Sequence, residues 1–127
     1  KGCGLSYRKA DYIQSFARCC LDGSFDLAAI PSLPDAEVIQ ALSAQRGIGV
    51  WTAEMLLIFC LSRPDVVSYG DFGIRRGMRM LYQIAELTRG RFDEIAARYR
   101  PYGTVASLYL WAIAGGALPE LTDPAVK

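Results

Sequence analysis

Apolar residues recur every three or four positions along most of the chain, which is the spacing of amphipathic α-helices. The clearest case is residues 6–21, whose apolar face is formed by Ile13, Phe16, Ala17 and Cys20. The turn-forming residues 22–24 (DGS) follow and end this helix. The opening of the chain is therefore predicted to be one amphipathic helix.

The rest of the chain repeats this pattern in short stretches separated by glycine and proline. The spacing predicts further helices at about residues 25–30, 34–44, 50–61, 71–84, 92–99 and 101–114. Residues 66–70 are expected to be extended or loop, and no other strand pattern is present. We therefore predict an all-α fold, with one helical domain over residues 1–116 and a loose tail over residues 117–127.

Composition narrows the chemistry that this chain can perform. Its 127 residues are 52% apolar and carry a formal net charge of +1, so a nucleic-acid partner would have to be met by a local basic patch. The chain contains no histidine, which leaves acid–base work to carboxylates, Lys, Tyr or Cys.

The cysteines and the apolar runs indicate an intracellular protein. Cys3, Cys19, Cys20 and Cys60 show no zinc spacing, and buried free thiols in a reducing compartment are the simplest interpretation of Cys19 and Cys60. No signal peptide or membrane-length apolar run is visible. We expect no membrane partner and a location in the cytoplasm or nucleoid.

Two glycines flank one isoleucine in residues 46–54 (RGIGVWTAE), directly before a predicted helix. Backbone N–H groups around Gly47 and Gly49, together with the helix N-terminus, can form an anion site for a nucleic-acid phosphate. Thr52 and Arg46 can add contacts, while Ile48 would point inward. A plain helix–helix turn with glycines at a cap is the alternative.

Several motifs in order carry a family resemblance over nearly the whole chain. They are residues 4–10 (GLSYRKA), 46–55 (RGIGVWTAEM), 63–66 (RPDV), 70–77 (GDFGIRRG) and 99–106 (YRPYGTVA), the last leading to residues 109–111 (YLW). The series resembles the helix–hairpin–helix (HhH-GPD) DNA glycosylase superfamily, most closely its 3-methyladenine DNA glycosylase II members. The family also has more chain before the segment that residues 4–10 resemble, so we expect a C-terminal fragment that lacks an N-terminal part and that is inactive alone.

The resemblance implies base excision repair by hydrolysis of the N-glycosidic bond of an alkylated purine, flipped out of double-stranded DNA. It assigns the catalytic carboxylate to Asp71. A carboxylate beside the anomeric carbon stabilises the positive charge that develops on the sugar. The alternative is that Asp71 is a helix N-cap, and the two roles are compatible.

The resemblance also implies a base pocket formed by Trp111, Trp51 and Met55. An indole face attracts a cationic methylpurine. Trp51 lies where bifunctional relatives carry a nucleophilic lysine, which implies a monofunctional enzyme. Core packing is the alternative interpretation of both tryptophans, and Met55 departs from the aromatic residue of some members.

Three further expectations concern binding groups. Arg75, Arg76 and Arg79 either contact phosphate near the flipped nucleotide or form a solvated, salt-bridged face. The resemblance implies a monovalent cation, Na⁺ or K⁺, held by the backbone carbonyls of Ser43, Gln45 and Gly47, and no required cofactor. No cysteine follows Cys60, so the iron–sulfur loop of some relatives has no match.

Two other functions remain open at the level of sequence. A non-catalytic helix–hairpin–helix module would hold DNA without excising a base. A purely structural helical domain would show no salt-dependent DNA affinity. Apolar helix faces left uncovered would also promote self-association of the chain.

Overall fold

The computed structural model describes residues 2–126 and contains only helices and connecting loops in that range. The elements are α1 (Tyr7–Leu21), a 3₁₀ turn (Ile30–Ser32), α2 (Asp35–Ser43), α3 (Val50–Phe59), α4 (Phe72–Tyr82), α5 (Arg89–Ala97) and α6 (Gly103–Ala114). The predicted all-α fold is thereby confirmed, since no strand occurs within these residues.

Side-chain caps set the beginnings of three helices. The hydroxyl of Ser6 accepts a hydrogen bond from the N–H of Lys9 at the start of α1, and Asp71 caps α4 in the same way. Thr88 caps α5, which for that reason begins at Arg89, three residues before the predicted start. Such caps satisfy backbone donors that have no partner within the helix.

The short helix predicted for residues 25–30 is wrong. The chain forms turns there, followed by the 3₁₀ turn. The carboxylate of Asp26 accepts hydrogen bonds from the N–H groups of Ala28 (3.0 Å) and Ala29 (3.2 Å). A side chain that binds nearby backbone donors in this way competes with helix formation.

Four other helix ends differ from the prediction by two residues each, among them the end of α5 at Ala97. Helix α3 ends at Phe59, and α4 ends at Tyr82 because Gln83 adopts a left-handed conformation with φ of 52°. Helix α6 begins at Gly103, beyond Pro101. These shifts leave the number and order of the long helices as predicted.

The backbone contacts divide the chain into two compact units, the first ending at Leu57 and the second beginning at Ile58. The sequence predicts a single helical domain over residues 1–116, with no boundary at this point. In the first unit the rings of Phe16 and Phe25 lie 5.2 Å apart. The buried side chains of this unit include Phe25, Ile30, Val38, Leu42, Ala53 and Leu57.

The second unit is built on the packing of α4 against α6. Its buried cluster consists of Ile74, Met78, Phe92, Ile95 and Leu110. Gly77 lies where α4 meets the backbone of α6, since a Cβ atom there would come within 2.1 Å of the carbonyl oxygen of Leu110. Only a glycine at this position allows the two helices to approach so closely.

Polar contacts connect the loop after α3 to the start of α6. The Thr104 hydroxyl donates to the carbonyl of Arg63 (2.6 Å), and the buried Ser107 hydroxyl donates to the carbonyl of Val66 (2.7 Å). The Asp65 carboxylate accepts the N–H of Gly103 at 3.1 Å. These contacts satisfy backbone groups of a loop that lacks regular secondary structure.

The C-terminal segment is held at Asp123, which corrects the expectation of a loose tail at this residue. The buried Asp123 carboxylate accepts hydrogen bonds from Arg79 Nε (3.0 Å) and Arg79 Nη2 (2.6 Å) on α4. A buried carboxylate requires such a partner. The salt-bridge interpretation of Arg79 is confirmed.

The cysteines and the helix lengths complete this description. All four cysteines are free, and Cys60 is exposed, which corrects its predicted burial. Within residues 2–126, no helix combines the length and the apolar character needed to cross a membrane.

Candidate functional site

Asp71 occupies the N-cap position of α4, as one of its two predicted roles requires. Its backbone is extended (φ −84°, ψ 121°), and its Oδ1 accepts the N–H of Ile74 at 2.8 Å. The residue is 8% exposed. The helix N-terminus stabilises a negative charge at this position.

Trp111, on α6, also contacts this carboxylate. Its indole Nε1–H donates to Asp71 Oδ1 at 2.8 Å, across 40 positions of sequence. Oδ1 therefore accepts one hydrogen bond from the backbone of α4 and another from a side chain of α6. Trp111 is half-buried and packs against the core cluster of the second unit, so its two predicted roles, pocket wall and core residue, are both compatible with its position.

Phe59 extends the aromatic surface beside Asp71. Its ring is stacked on that of Trp111, with centroids 5.8 Å apart and an interplanar angle of 19°. Phe59 remains 64% exposed although it is a large apolar side chain. The sequence did not indicate Phe59 as a site residue, because it lies within the apolar run 55–61, whose composition is typical of a buried core.

Gly73 makes room for the contact between Trp111 and Asp71. A Cβ atom at this position would lie 2.7 Å from Trp111 Cδ1, 3.1 Å from Trp111 Nε1 and 3.2 Å from Asp71 Oδ1. The first distance is shorter than real side chains tolerate. The glycine belongs to the segment 70–77 that carried the family resemblance, although its role could not be read from the sequence.

Arg75 lies one turn along α4 from the cap. Its guanidinium carbon lies 5.2 Å from the centre of the Tyr69 ring, and that of Arg89 lies 4.7 Å from the same ring. Arg75 Nε is buried without a hydrogen-bond partner among the described residues. Stacking on an aromatic face holds a guanidinium in place while leaving its other donors able to bind an anion.

The other two arginines of α4 face the C-terminal segment. Arg79 lowers the pKa of Asp123 through its hydrogen bonds, and Arg76 Nε lies 3.8 Å from the same carboxylate. Arg75 is the arginine of α4 nearest to Asp71 in the sequence.

The glycine hairpin of the first unit forms the turn between α2 and α3. Gly47 has φ of +87°, a conformation that other residues rarely adopt. The N–H of Ile48 donates to the carbonyl of Gln45 (3.1 Å), and the N–H of Ala53 donates to the carbonyl of Gly49 (3.0 Å). The bond to Gly49 opens α3, so the amides of its first turn point toward the hairpin side.

Tyr12 of α1 packs directly on Gly47, where a Cβ atom would come within 2.3 Å of the ring. Arg46 lies over the same ring, with its guanidinium carbon 5.5 Å from the ring centre, and pairs with Asp11 at 2.9 Å. Ile48 is half-buried and lines an apolar cavity of about 290 Å³ with Tyr12 and neighbouring residues of α1. Ile48 therefore points inward, as predicted.

The remaining predicted residues lie along α3 and in the turn before it. Trp51 is 49% exposed, which does not fit a core-anchoring role, whereas Thr52 and Met55 are half-buried. Ser43 is the last residue of α2, and Gln45 follows in the turn. The structure thus gathers Gly47, Gly49 and Thr52 at one hairpin of the first unit, and Asp71 and Trp111 at one contact of the second.

This chain is similar in sequence and in fold to known proteins of one family. The family model described as "HhH-GPD superfamily base excision DNA repair protein" matches residues 1–101. The DNA-3-methyladenine glycosylase 1 of Schizosaccharomyces pombe is 37% identical over 129 aligned residues, which cover 98% of this chain and 54% of that protein.

Two solved structures of such proteins are also similar to this chain in fold. A DNA-3-methyladenine glycosidase from Bacillus halodurans is similar with a TM-score of 0.78 and 39% identity, covering 92% of this chain and 54% of that one. A 3-methyladenine DNA glycosylase of S. pombe, in complex with abasic DNA, is similar with a TM-score of 0.82 and 35% identity, covering 95% of this chain and 59% of that one. The chain spans little more than half the length of these relatives.

Proposed function

Because this chain belongs to the HhH-GPD superfamily of base excision DNA repair proteins, we propose that it supplies the carboxylate and the DNA-binding hairpin of an alkylpurine DNA glycosylase. The observation that carries this proposal is the carboxylate of Asp71, held at a helix N-terminus beside the aromatic pair Trp111 and Phe59. The names of the relatives support 3-methyladenine-like bases as the substrate class.

The reaction proposed for this site is hydrolysis of the N-glycosidic bond. The bond between the anomeric carbon and the purine nitrogen breaks, and its electron pair leaves with the base. Positive charge develops on the sugar, and the anionic Asp71 stabilises it. The oxygen of a water molecule then bonds to the anomeric carbon while its proton passes to the Asp71 carboxylate, which leaves an abasic site.

Alkylation of the base explains how the chain works without histidine. An N3- or N7-alkylated purine already carries positive charge, so it leaves without prior protonation. The faces of Phe59 and Trp111 suit such a cation because aromatic rings attract positive charge. We propose that Trp51 and Met55 of the first unit also contact the flipped base in the complete protein.

We propose a monofunctional reaction, because Trp51 stands where bifunctional relatives carry their nucleophilic lysine. Bifunctional glycosylases need a nucleophilic lysine, which forms a Schiff base with the sugar. Lys9 and Lys127 are consecutive lysines of this chain, so the long stretch between them contains no amine side chain. The proposed product is therefore an abasic site in an unbroken strand.

We propose that the hairpin binds the DNA backbone next to the lesion. Gly49 offers an open approach, since a Cβ atom there would meet nothing within 4 Å. Backbone amides of the turn and of the first turn of α3 would donate to one phosphate, with Thr52 and Arg46 as further contacts. Arg75 of the second unit is proposed as a separate contact to DNA phosphate. Contacts of this kind hold double-stranded DNA without reading its sequence.

The hairpin also has the kind of oxygen ligand that a monovalent cation requires. Carbonyls at the end of a helix lack partners within that helix. Ser43 is the last residue of α2, and Gln45 and Gly47 follow in the turn. The Gln45 carbonyl accepts the Ile48 N–H and has a second lone pair that a cation can use. Oxygen atoms are the ligands that hard cations take. These three carbonyls would hold Na⁺ or K⁺ and direct it toward a phosphate.

Two further proposals concern the location of the protein and the self-association of the isolated chain. We propose a location in the cytoplasm or nucleoid, where an enzyme that acts on chromosomal DNA would work. Self-association of the isolated chain is proposed from its exposed apolar side chains on α1, which include Tyr7, Ile13 and Leu21. Sedimentation of the isolated chain as a monomer at all concentrations would exclude self-association.

The proposed activity is tested by measuring the bases released from methylated duplex DNA by the full-length protein, using mass spectrometry. Asparagine is as good an N-cap as aspartate, so Asp71→Asn keeps the start of α4 while it removes the charge. We expect release of 3-methyladenine by the wild type and loss of release, with unchanged DNA binding, by the variant. Full release by Asp71→Asn would refute the catalytic assignment.

The alternative, a DNA-holding module without catalysis, predicts a different result. The wild type would then bind duplex DNA in a salt-dependent manner and release no damaged base. Absence of salt-dependent binding would exclude both functions.

A further inference from the structure

We propose that Trp111 is a positioning residue for Asp71, and that Gly73 and Phe59 keep its indole in the position where it does so. This inference rests on the proposed function, because it concerns how the catalytic carboxylate is oriented. The observation behind it is the 2.8 Å hydrogen bond from Trp111 Nε1 to Asp71 Oδ1. A pocket wall needs only the face of the indole, whereas this contact uses its polar edge.

Two donors on the same oxygen fix the plane of the carboxylate. The N–H of Ile74 alone leaves the carboxylate able to rotate about its bond to Cβ, as in any N-cap. The indole N–H approaches from a different helix and is a donor only. Bonds from both directions restrict that rotation, so the carboxylate is already oriented when the sugar arrives.

The indole is itself held on two sides. The Phe59 ring covers one of its faces as an offset stack, and α4 passes beside its Cδ1–Nε1 edge without a side chain at Gly73. An alanine at position 73 would place its Cβ at 2.7 Å from Cδ1 and 3.1 Å from Nε1. The indole would have to move away from Asp71 to relieve this overlap.

A matched glycine is available as a control. Gly73 and Gly90 are each the second residue of a helix that an N-cap side chain begins, Asp71 for α4 and Thr88 for α5. A Cβ atom at Gly90 would meet nothing within 4 Å. The two glycine-to-alanine changes therefore have the same effect on helix propensity and differ in whether they crowd the contact between Trp111 and Asp71.

The kinetic test uses the full-length protein and single-turnover excision of 3-methyladenine, with DNA affinity measured separately. Trp111→Phe keeps an aromatic face and removes the N–H donor. We expect its maximal rate to fall about 10- to 100-fold, the range for one hydrogen bond to a charged group, while lesion-DNA affinity stays within about two-fold. Gly73→Ala should reduce the rate similarly, and Gly90→Ala should retain it.

A wild-type rate in Trp111→Phe, or an equal loss in Gly73→Ala and Gly90→Ala, would overturn the positioning role and leave the proposed function intact. A loss of affinity with an unchanged maximal rate would also overturn it, since that pattern belongs to a pocket wall alone.

A spectroscopic test does not depend on activity. The ¹⁵N-labelled indole resonance that disappears in Trp111→Phe identifies the Trp111 N–H. In Asp71→Asn this resonance should move far more than that of Trp51, because its acceptor loses its charge. An unmoved Trp111 resonance would disprove the contact. A moved resonance in a protein that excises no base would support the contact and refute the proposed function separately.

Discussion

Replacing Gly77 by alanine should destabilise the second unit, because α4 and α6 approach most closely at this residue. The new Cβ would lie 2.1 Å from the carbonyl oxygen of Leu110 and 2.7 Å from its carbonyl carbon. Both obstacles are backbone atoms, so no side-chain rotation can relieve the overlap. The helices would have to separate by more than about 1 Å, since carbon atoms in contact usually stay beyond about 3.5 Å.

The size of the effect follows from two opposing terms. Alanine in a helix interior is favoured over glycine by about 1 kcal/mol. Overpacking a core costs about 1–3 kcal/mol and occasionally more, and the backbone obstacle puts Gly77 at the upper end of that range. We expect a net loss of about 2 kcal/mol, which for a unit of this size lowers the melting temperature by about 10 °C.

Thermal and urea unfolding followed by circular dichroism measure this loss, with Gly90→Ala as the control. The control should be unchanged or slightly more stable, because its Cβ meets nothing within 4 Å. The Asp71–Trp111 contact connects the same two helices, so its indole resonance should also shift in Gly77→Ala. Equal stability of the two variants would refute the close approach of α4 and α6.

Three further outcomes are expected. Gly47→Ala should disrupt the hairpin, because φ is +87° and its Cβ would overlap Tyr12. Gly49→Ala should fold normally but show a lower DNA affinity in a salt titration. Equal DNA affinity in Gly49→Ala and wild type would argue against phosphate binding at the hairpin. The hydrogen bonds from Arg79 lower the pKa of Asp123 below its ordinary value of 3.8. The ionised carboxylate therefore stabilises the folded state at pH values above 3.8, and this stabilisation is lost as the pH falls from 3.8 through the lowered pKa of the folded state. Urea midpoints should show Asp123→Asn less stable by about 2 kcal/mol at pH 7 and nearer to wild type at pH 3; a pH-independent difference would contradict this linkage. Ser107→Ala should cost about 1–2 kcal/mol in the same assay, because it leaves a buried carbonyl without its 2.7 Å donor, and an unchanged midpoint would show that this bond contributes nothing.

The sequence predicted those features that depend on neighbouring residues. Helical spacing located α1, α2 and α3 to within two residues at each end. The cap at Asp71 and the inward position of Ile48 follow from local chemistry, since each depends on residues within a few positions. Local chemistry also explains the failure at residues 25–30, where Asp26 binds the backbone in a turn that periodicity does not reveal.

Features that join distant parts of the chain could not be predicted in this way. The indole of Trp111 lies 40 positions from Asp71, and Asp123 lies 44 positions from Arg79. Phe59 had the apolar character of a core residue and became part of the aromatic surface because its helix ends there. Such pairings depend on how helices pack, which spacing along one helix does not specify.

The stack of Phe59 on Trp111 gives the chain an internal optical reporter. The chain contains two tryptophans, and Trp51→Phe would leave Trp111 as the single indole emitter. In the proposed reaction, a flipped purine that stacks on this ring would quench its fluorescence on the timescale of the encounter. Stopped-flow emission could therefore time the arrival of an extruded nucleotide separately from the cutting of its bond.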